Sequence, residues 1–339
     1  MSFRRITETK ELTEQNPVTI IYHADCIDGF GSAYAAWCAF GDQANYCPMH
    51  HGETWDDAKI SGADVYILDF SFAPEKLDTI AALAHSVTQL DHHLSAQQAW
   101  VGKLQATDNG YETYECSERR LKVSFNLNIS GAHFAWDYFH PSKPLPLLLQ
   151  HIEDQDIWKF VIPGTREFCL ALRLLPFDFT VWHQLVADTP SITSPRYVAM
   201  LSEGGAIYTY MQQEINGLAN SRLRMPAQLR GEPVDALQAI RHDQAVISEN
   251  DLSWLAVTGI AINTNAMFAS ELGNQLAEQS GTFALIWQLA GDGEVKASLR
   301  SKGSFDVAAI AARYDGGGHR NAAGFRMSLN KFMTEVLRS

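Results

Sequence analysis

Short apolar runs that end in acid- or histidine-bearing loops, each followed by a helical stretch, restrict the fold of this chain more than any other feature. Residues 17–23 (PVTIIYH) read as a strand, and the GFGSAYAAWCAF that follows reads as a helix with small residues at its start. The grammar repeats: DVYILDF at 64–70 reads as a buried strand, Pro74 to His85 as an amphipathic helix, and SVTQLDHH at 86–93 as another strand. Strands alternating with helices predict an α/β fold whose N-terminal part is a doubly wound, mostly parallel sheet. Ligands of such sheets gather at the carboxyl ends of the strands. His23, Asp69 and Asp91 all fall there.

Further along, 107–125 is a polar insertion with little periodicity, Ser130 to Phe139 reads as a helix, and 147–160 (LLLQHIEDQDIWKF) as a helix running into a loop. Residues 166–187 carry more helical material, and 196–224 read as one long helix ended by Pro226. The texture then changes to strand, helix, strand, a Gly291-Asp292-Gly293 turn, strand, helix, a GGGH loop and a last strand, which predicts a smaller α+β domain containing a hairpin. At 339 residues the chain exceeds the usual size of about 100–200 residues for one domain. The expected division is an α/β domain over 1–195, a connector helix over 196–225 and a smaller α+β domain over 226–339, with a cleft between the two domains available to a ligand. No internal repeat or low-complexity segment is visible.

Hydrophobic residues at 46% and charged residues at 19% exclude a disordered chain. No apolar stretch approaches the roughly 20 residues that a bilayer span needs. The first fifteen residues, MSFRRITETKELTEQ, lack the apolar core of a secretory signal, so a cytoplasmic location is expected, with no membrane partner. Five cysteines, with no CxxC, suggest neither a disulfide framework nor a zinc ribbon. The 39 acids outnumber the 26 bases, for a formal charge of −13, and long nucleic acid is excluded as a ligand because a phosphate backbone needs a track of cations. A small anion fits if metals or a local nest supply positive charge.

The loop His23-Ala24-Asp25-Cys26-Ile27-Asp28-Gly29 crowds an imidazole and two carboxylates after the first strand, although Asp28 also reads as a turn residue or helix cap. Asp69 ends a strand that is otherwise apolar, and Asp91-His92-His93 ends another. Oxygen donors with imidazole suit Mn²⁺, Mg²⁺ or iron better than a soft-ligand zinc site. Separate structural roles do not explain why these residues recur at one edge of one sheet. Near the C-terminus, Gly316-Gly317-Gly318-His319 before RNAAG reads as a backbone able to point N–H groups at an anion, or as a glycine cap after Tyr314. His50 and His51 read as loop residues, and His133, His140, His151, His183 and His242 as surface or satisfied core groups. Trp136, Tyr138 and Phe139 read as core. Cys26 reads as a packed thiol, placed where oxidation is a concern.

HADCIDGFGSA, ILDF, LDHH and YDGGGHRNAAGF together resemble the DHH phosphoesterases with a DHH-associated C-terminal domain, of the nanoRNase and pAp-phosphatase type, over nearly the whole chain. The resemblance implies two Mn²⁺ ions, with Mg²⁺ or another divalent cation as alternatives, bridged by Asp69. One ion takes His23 and Asp25; the other takes Asp28, His92 and Asp154, with Asp156 in reserve. His93 and Asp91 are the implied catalytic pair, Asp91 orienting His92 and His93 facing the scissile phosphate. Arg300, Gly316, Gly317, Gly318 and His319 are the implied substrate-binding residues. The family's first motif has two acids separated by one residue, whereas here Asp25 and Asp28 are separated by two. The implied activity is metal-dependent hydrolysis of short oligonucleotides or small nucleotides: linear dinucleotides, nanoRNA or pAp. Rival readings are an inorganic polyphosphatase or pyrophosphatase, a RecJ-like single-strand exonuclease, and a non-catalytic nucleotide-binding protein. A homodimer is left open.

Overall fold

The computed structural model describes residues 16–50, 52–108, 110–241, 244–249 and 251–337. The N-terminal stretch read for a signal, His51 and His242 lie outside these described residues. The chain forms two compact units, the first running to His92 and including Gly102–Ile157 and Phe177–Trp182, the second made of His93–Val101, Trp158–Pro176 and His183–Ser339.

The first unit is built on a seven-stranded sheet in the order β2-β1-β3-β4-β7-β6-β5. Its strands are β1 (Val18–His23), β2 (Ala44–Met49), β3 (Asp64–Leu68), β4 (Ser86–Asp91), β5 (Gln105–Ala106), β6 (Glu112–Cys116) and β7 (Leu121–Phe125). From β2 to β7 all pairings are parallel; β6 and β5 add an antiparallel edge. The mostly parallel, doubly wound sheet read from the sequence is therefore present. The polar insertion supplies the antiparallel edge, which sequence pattern left unread because β5 and β6 are largely exposed and lack a buried face. Helices α1 (Ile27–Phe40), α2 (Asp57–Ile60), α3 (Pro74–Leu83), α5 (Gly131–Phe139) and α6 (Leu147–Asp156) belong to this unit, while α4 (Leu94–Gln98) belongs to the second.

Register places the chemistry. Tyr22 pairs with Leu68 and Leu68 with Leu90, so His23, Asp69 and Asp91 are the next residues along three neighbouring strands that end at the same level. Strands about 4.8 Å apart bring such residues within reach of one another. The β-branched and apolar interiors of β1 and β3 bury the strands, and the first polar residue after each run falls at the sheet's carboxyl edge.

In the second unit, α7 (Thr165–Leu172), the later part of α8 (Phe179–Asp188), α9 (Pro195–Ala219) and α10 (Ala236–Arg241) precede or accompany a second seven-stranded sheet. That sheet contains β8 (Met225–Pro233), β9 (Val246–Glu249), β10 (Leu252–Asn263), β11 (Phe283–Leu289), β12 (Glu294–Ser301), β13 (Gly317–His319) and β14 (Ala322–Ser328), with α11 (Ala269–Ser280) and α12 (Val307–Ala312). The β11–β12 hairpin turns where Gly291-Asp292-Gly293 predicted it. The long helix α9 ends at Ala219, well before Pro226, which instead lies in β8 and pairs with Ile260. Met211, Ile215 and Ala219 of α9 pack with Leu272, Leu276 and Ile286, so this helix is part of the second unit's core.

An aromatic cluster closes one face of the first unit. Phe30 stacks on Phe177 and Phe179 at 5.0 and 4.8 Å and meets the edge of Trp182, which is fully buried. Trp182→Ala leaves a cavity behind α1 and should cost about 3–5 kcal/mol. A denaturant midpoint unchanged from wild type would show that this cluster does not hold α1 to the sheet.

Candidate metal centre

His92 stands at the middle of the site. It follows β4, is 2% exposed, and aims Nε2 at three carboxylates: Asp69 Oδ1 at 3.1 Å, Asp28 Oδ2 at 3.5 Å and Asp156 Oδ2 at 3.5 Å. Asp69 adopts a φ of +50°, a left-handed conformation that a non-glycine residue rarely holds outside functional positions, and its amide donates to the Leu90 carbonyl. A Cβ at Gly131 would lie 2.5 Å from the Asp69 Cβ, so only glycine lets α5 begin this close to the Asp69 side chain.

Asp28 is fully buried in the first turn of α1, and its two oxygens accept from the Gly131 and Ala132 amides at 2.7 and 3.0 Å. These are the first free N–H groups of α5, a helix end that favours negative charge. Ser130, the residue before them, caps α5 through its hydroxyl. Asp91, also fully buried, accepts from Ser71 Oγ at 2.5 Å and from the His92 amide at 2.8 Å, so it fixes the backbone that carries His92. His23 brings Nδ1 to 3.6 Å from Asp69 Oδ2.

Two expected ligands need correction. Asp25 does not join the cluster: it sits in the turn between β1 and α1 at φ +54°, its side chain is 84% exposed, and it lies 3.6 Å from His50 Nε2. Cys26 instead groups with His23 and Asp69, one donor atom from each lying within 4.8 Å of the others. On α6 it is Asp156, the residue held in reserve, whose carboxylate the structure brings toward His92. Asp156 groups with Asp28 and His92 in the same way, whereas Asp154 is buried on the same helix and acts electrostatically on His151. Residues two apart on a helix are rotated by about 200°, so only one of the pair faces His92. The stripe Leu148, Ile152, Asp156 carried the signal, since the first two are buried and the third continues their spacing of four.

In the second unit, His93 immediately precedes α4 and stacks on His319 with ring centroids 4.9 Å apart. The Gly318 amide donates to Ser95 Oγ at 3.4 Å. The glycine run is less open than its composition suggests: Gly317–His319 form β13, paired with Ala322–Gly324 of β14. Gly318 needs to be glycine because its φ is +137° and a Cβ would lie 2.5 Å from the Ala322 carbonyl. Arg300, at the end of β12, donates to the Leu299 carbonyl and to Ser270 Oγ. Burial holds its guanidinium down, to about 10, and among the described residues no carboxylate forms an ion pair with it.

Charge is concentrated in the first unit's cluster. Burial, then the charges of Asp69 and Asp156, push the Asp28 carboxyl well above its ordinary range, against the pull of His92 and the Ala132 amide. Burial alone would lower the His92 imidazole, but the Asp69 hydrogen bond and the charges of Asp156, Asp69 and Asp28 carry it well above the usual value. Cys26 is pushed up by burial and by the same three acids. The donor set fits divalent cations. Oxygen and nitrogen ligands about 2.0–2.3 Å from an ion lie within about 4.5 Å of each other, which matches the spacing of both groups, and Asp69 adjoins both.

A dependence on pH follows. Without cations, Asp28 and His92 hold protons more tightly in the native state than in the unfolded chain, so the fold binds more protons. Stability then falls as pH rises from each group's ordinary value through its raised native one. The melting temperature of metal-free protein should fall as pH rises above about 4, added Mn²⁺ should restore it, and calorimetry should detect proton release on binding. A metal-free melting temperature that rises across this range contradicts the cluster.

Residues 255–338 match the DHHA1 domain model. The chain is 28% identical over 327 residues to uncharacterized protein R106 of Acanthamoeba polyphaga mimivirus, covering 91% of this chain and 67% of that protein. Among solved structures it is similar to a pGpG-specific phosphodiesterase, PggH, from Vibrio cholerae, at 9% identity and a TM-score of 0.36 over 93% of this chain and 94% of that one. It is also similar to RecJ in complex with Mn²⁺ from Thermus thermophilus, at 13% identity and a TM-score of 0.44 over 94% of this chain and 50% of RecJ. No described helix is long and apolar enough to cross a membrane. The His23–Asp28, Asp69 and Asp91–His93 motifs thus stand at one sheet edge of a chain whose residues 255–338 match the DHHA1 domain.

Proposed function

We propose that this protein hydrolyses phosphate esters of short oligonucleotides or small nucleotides, such as linear dinucleotides, nanoRNA or pAp, using two divalent cations of the Mn²⁺ type. The observation that carries this reading is the convergence of Asp28, Asp69 and Asp156 on His92 Nε2 in a largely buried site. Three carboxylates facing one imidazole leave an excess of negative charge that cations balance. Asp28, Asp69, Asp156 and His92 would hold one ion and His23 with Asp69 the other. Divalent cations bound there supply Lewis acidity at the phosphoryl oxygens and activation of water.

The remaining work belongs to the chain. Asp91 keeps His92 in position through its amide. His93, whose ring stacks on His319, would donate a proton or hydrogen bond to a phosphate oxygen. Arg300, with no acidic partner among the described residues, and the β13 backbone serve as an anchor for a phosphate, which a guanidinium holds bidentately. The formal charge of −13 disfavours long strands and so favours the short-substrate reading over a processive exonuclease.

Turnover of a linear dinucleotide, pAp, a cyclic dinucleotide, a longer RNA and polyphosphate, each with Mn²⁺, tests the proposal. The dinucleotide or pAp should be the best substrate, and polyphosphate as the best substrate would overturn it. Asp69→Asn should lower kcat/KM by at least about 10²–10³-fold, the cost of removing one preorganised electrostatic group. Retained activity would refute the metal assignment. Arg300→Gln should raise KM by about 10–100-fold with kcat little changed, since one charged hydrogen-bonding group contributes about 1.5–3 kcal/mol; an unchanged KM removes Arg300 from the substrate site.

A further inference from the structure

We infer that Cys26, and not Asp25, is the third protein ligand of the ion held by His23 and Asp69, which makes this position a nitrogen, sulfur and oxygen site distinct in metal preference from its neighbour. The inference rests on the two-cation reading above and deepens it. The loop between β1 and α1 presents His23 and Cys26 with two residues between them, a spacing at which one short turn can aim two donors at one ion. Asp25 occupies the outer side of that turn, in the left-handed conformation that aspartate tolerates better than most residues, with its carboxylate in solvent near His50. Cys26 is the residue immediately before α1, where the Phe30 amide donates to its carbonyl, and this fixes its backbone as the helix begins. Its sulfur, one His23 ring nitrogen and one Asp69 oxygen fall within 4.8 Å of one another. Asp69 itself follows β3, the neighbour of β1, so His23 and Asp69 come from adjacent strand ends and Cys26 from the residue that opens α1.

The chemistry differs between the two positions. Asp28, Asp156, His92 and Asp69 offer three carboxylates and one imidazole, a set that suits Mn²⁺ and Mg²⁺. With a thiolate in place of a carboxylate, the His23 position favours Zn²⁺, Fe²⁺, Co²⁺ or Cd²⁺ over Mg²⁺. On binding, the Cys26 thiol gives its proton to solvent and its sulfur lone pair to the ion; no electron is transferred.

Cobalt reports on sulfur directly. Metal-free full-length protein titrated with Co²⁺ should take up two equivalents by calorimetry and develop a near-ultraviolet sulfur-to-cobalt charge-transfer band. Cys26→Ser should lose the band and weaken Cd²⁺ binding by at least about tenfold, the lower end of what removing even an outer-shell partner costs. Asp25→Asn should keep both properties. Cys26→Asp should still bind two ions but shift preference from Cd²⁺ toward Mn²⁺. Should the serine variant fail to fold, the wild type still decides: bound Co²⁺ should slow iodoacetamide alkylation of Cys26, followed by peptide mass spectrometry, while leaving Cys38 and Cys116 unchanged. Two equivalents of cobalt with no charge-transfer band and no protection of Cys26 overturn the thiolate assignment and leave the two-cation reading intact. No cobalt uptake overturns both.

Discussion

Like charges buried around one imidazole are the constraint to which the N-terminal unit is fitted. A carboxylate taken out of water costs several kcal/mol unless partners replace its hydration. Each acid here has a different compensation. Asp28 is held by the first two amides of α5, and Asp91 by Ser71 and the amide of His92. Asp69 faces His92 and His23, and Asp156 faces His92, which Asp28 also faces. Protons or cations would offset the charge that these acids bring to one imidazole. This links the fold's stability to the ions its chemistry needs.

The parallel sheet supplies the geometry that such a cluster requires. A strand buried on both faces stays apolar to its end, and the first polar residue beyond it emerges at the carboxyl edge. Three neighbouring strands in register therefore deliver His23, Asp69 and Asp91 side by side. The left-handed φ of Asp69 and the bare Cα of Gly131 bring α5 against that edge, so its N-terminal amides can reach Asp28. Remove the close approach and Asp28 becomes a buried, unpaired acid, which is why a helix remote in sequence belongs to the site.

The sequence carried the alternation of strands and helices, the acids that end apolar runs and the DHHA1 segment, because each is a local pattern. What it withheld depended on rotation or on a single turn. Asp154 and Asp156 are indistinguishable until the phase of α6 is known, and that phase is set by Leu148 and Ile152 packing in the core. Asp25 and Cys26 are neighbours whose fates separate at one positive φ, which no composition rule predicts. The edge strands β5 and β6 lack a buried face, and β2 carries Pro48, so neither shows the apolar run that marks the central strands.

The distribution of charge bears on substrate size. A polyanion gains affinity by releasing counterions along a row of cations, and 39 acids against 26 bases do not provide one. Several described arginines are already engaged with acids, as Arg230 is with Glu249 and Glu335, or Arg166 with Glu271. Arg300 differs, since its donors meet only a carbonyl and a hydroxyl. A neutral partner leaves the full charge of the guanidinium for an incoming anion, whereas an acidic partner would have to be displaced first. Affinity concentrated at one such group can fix one phosphate but gains nothing from a strand's further phosphates, which meet an acidic surface. On the proposed function, selection for short substrates would follow from where cations are missing as much as from where one is present.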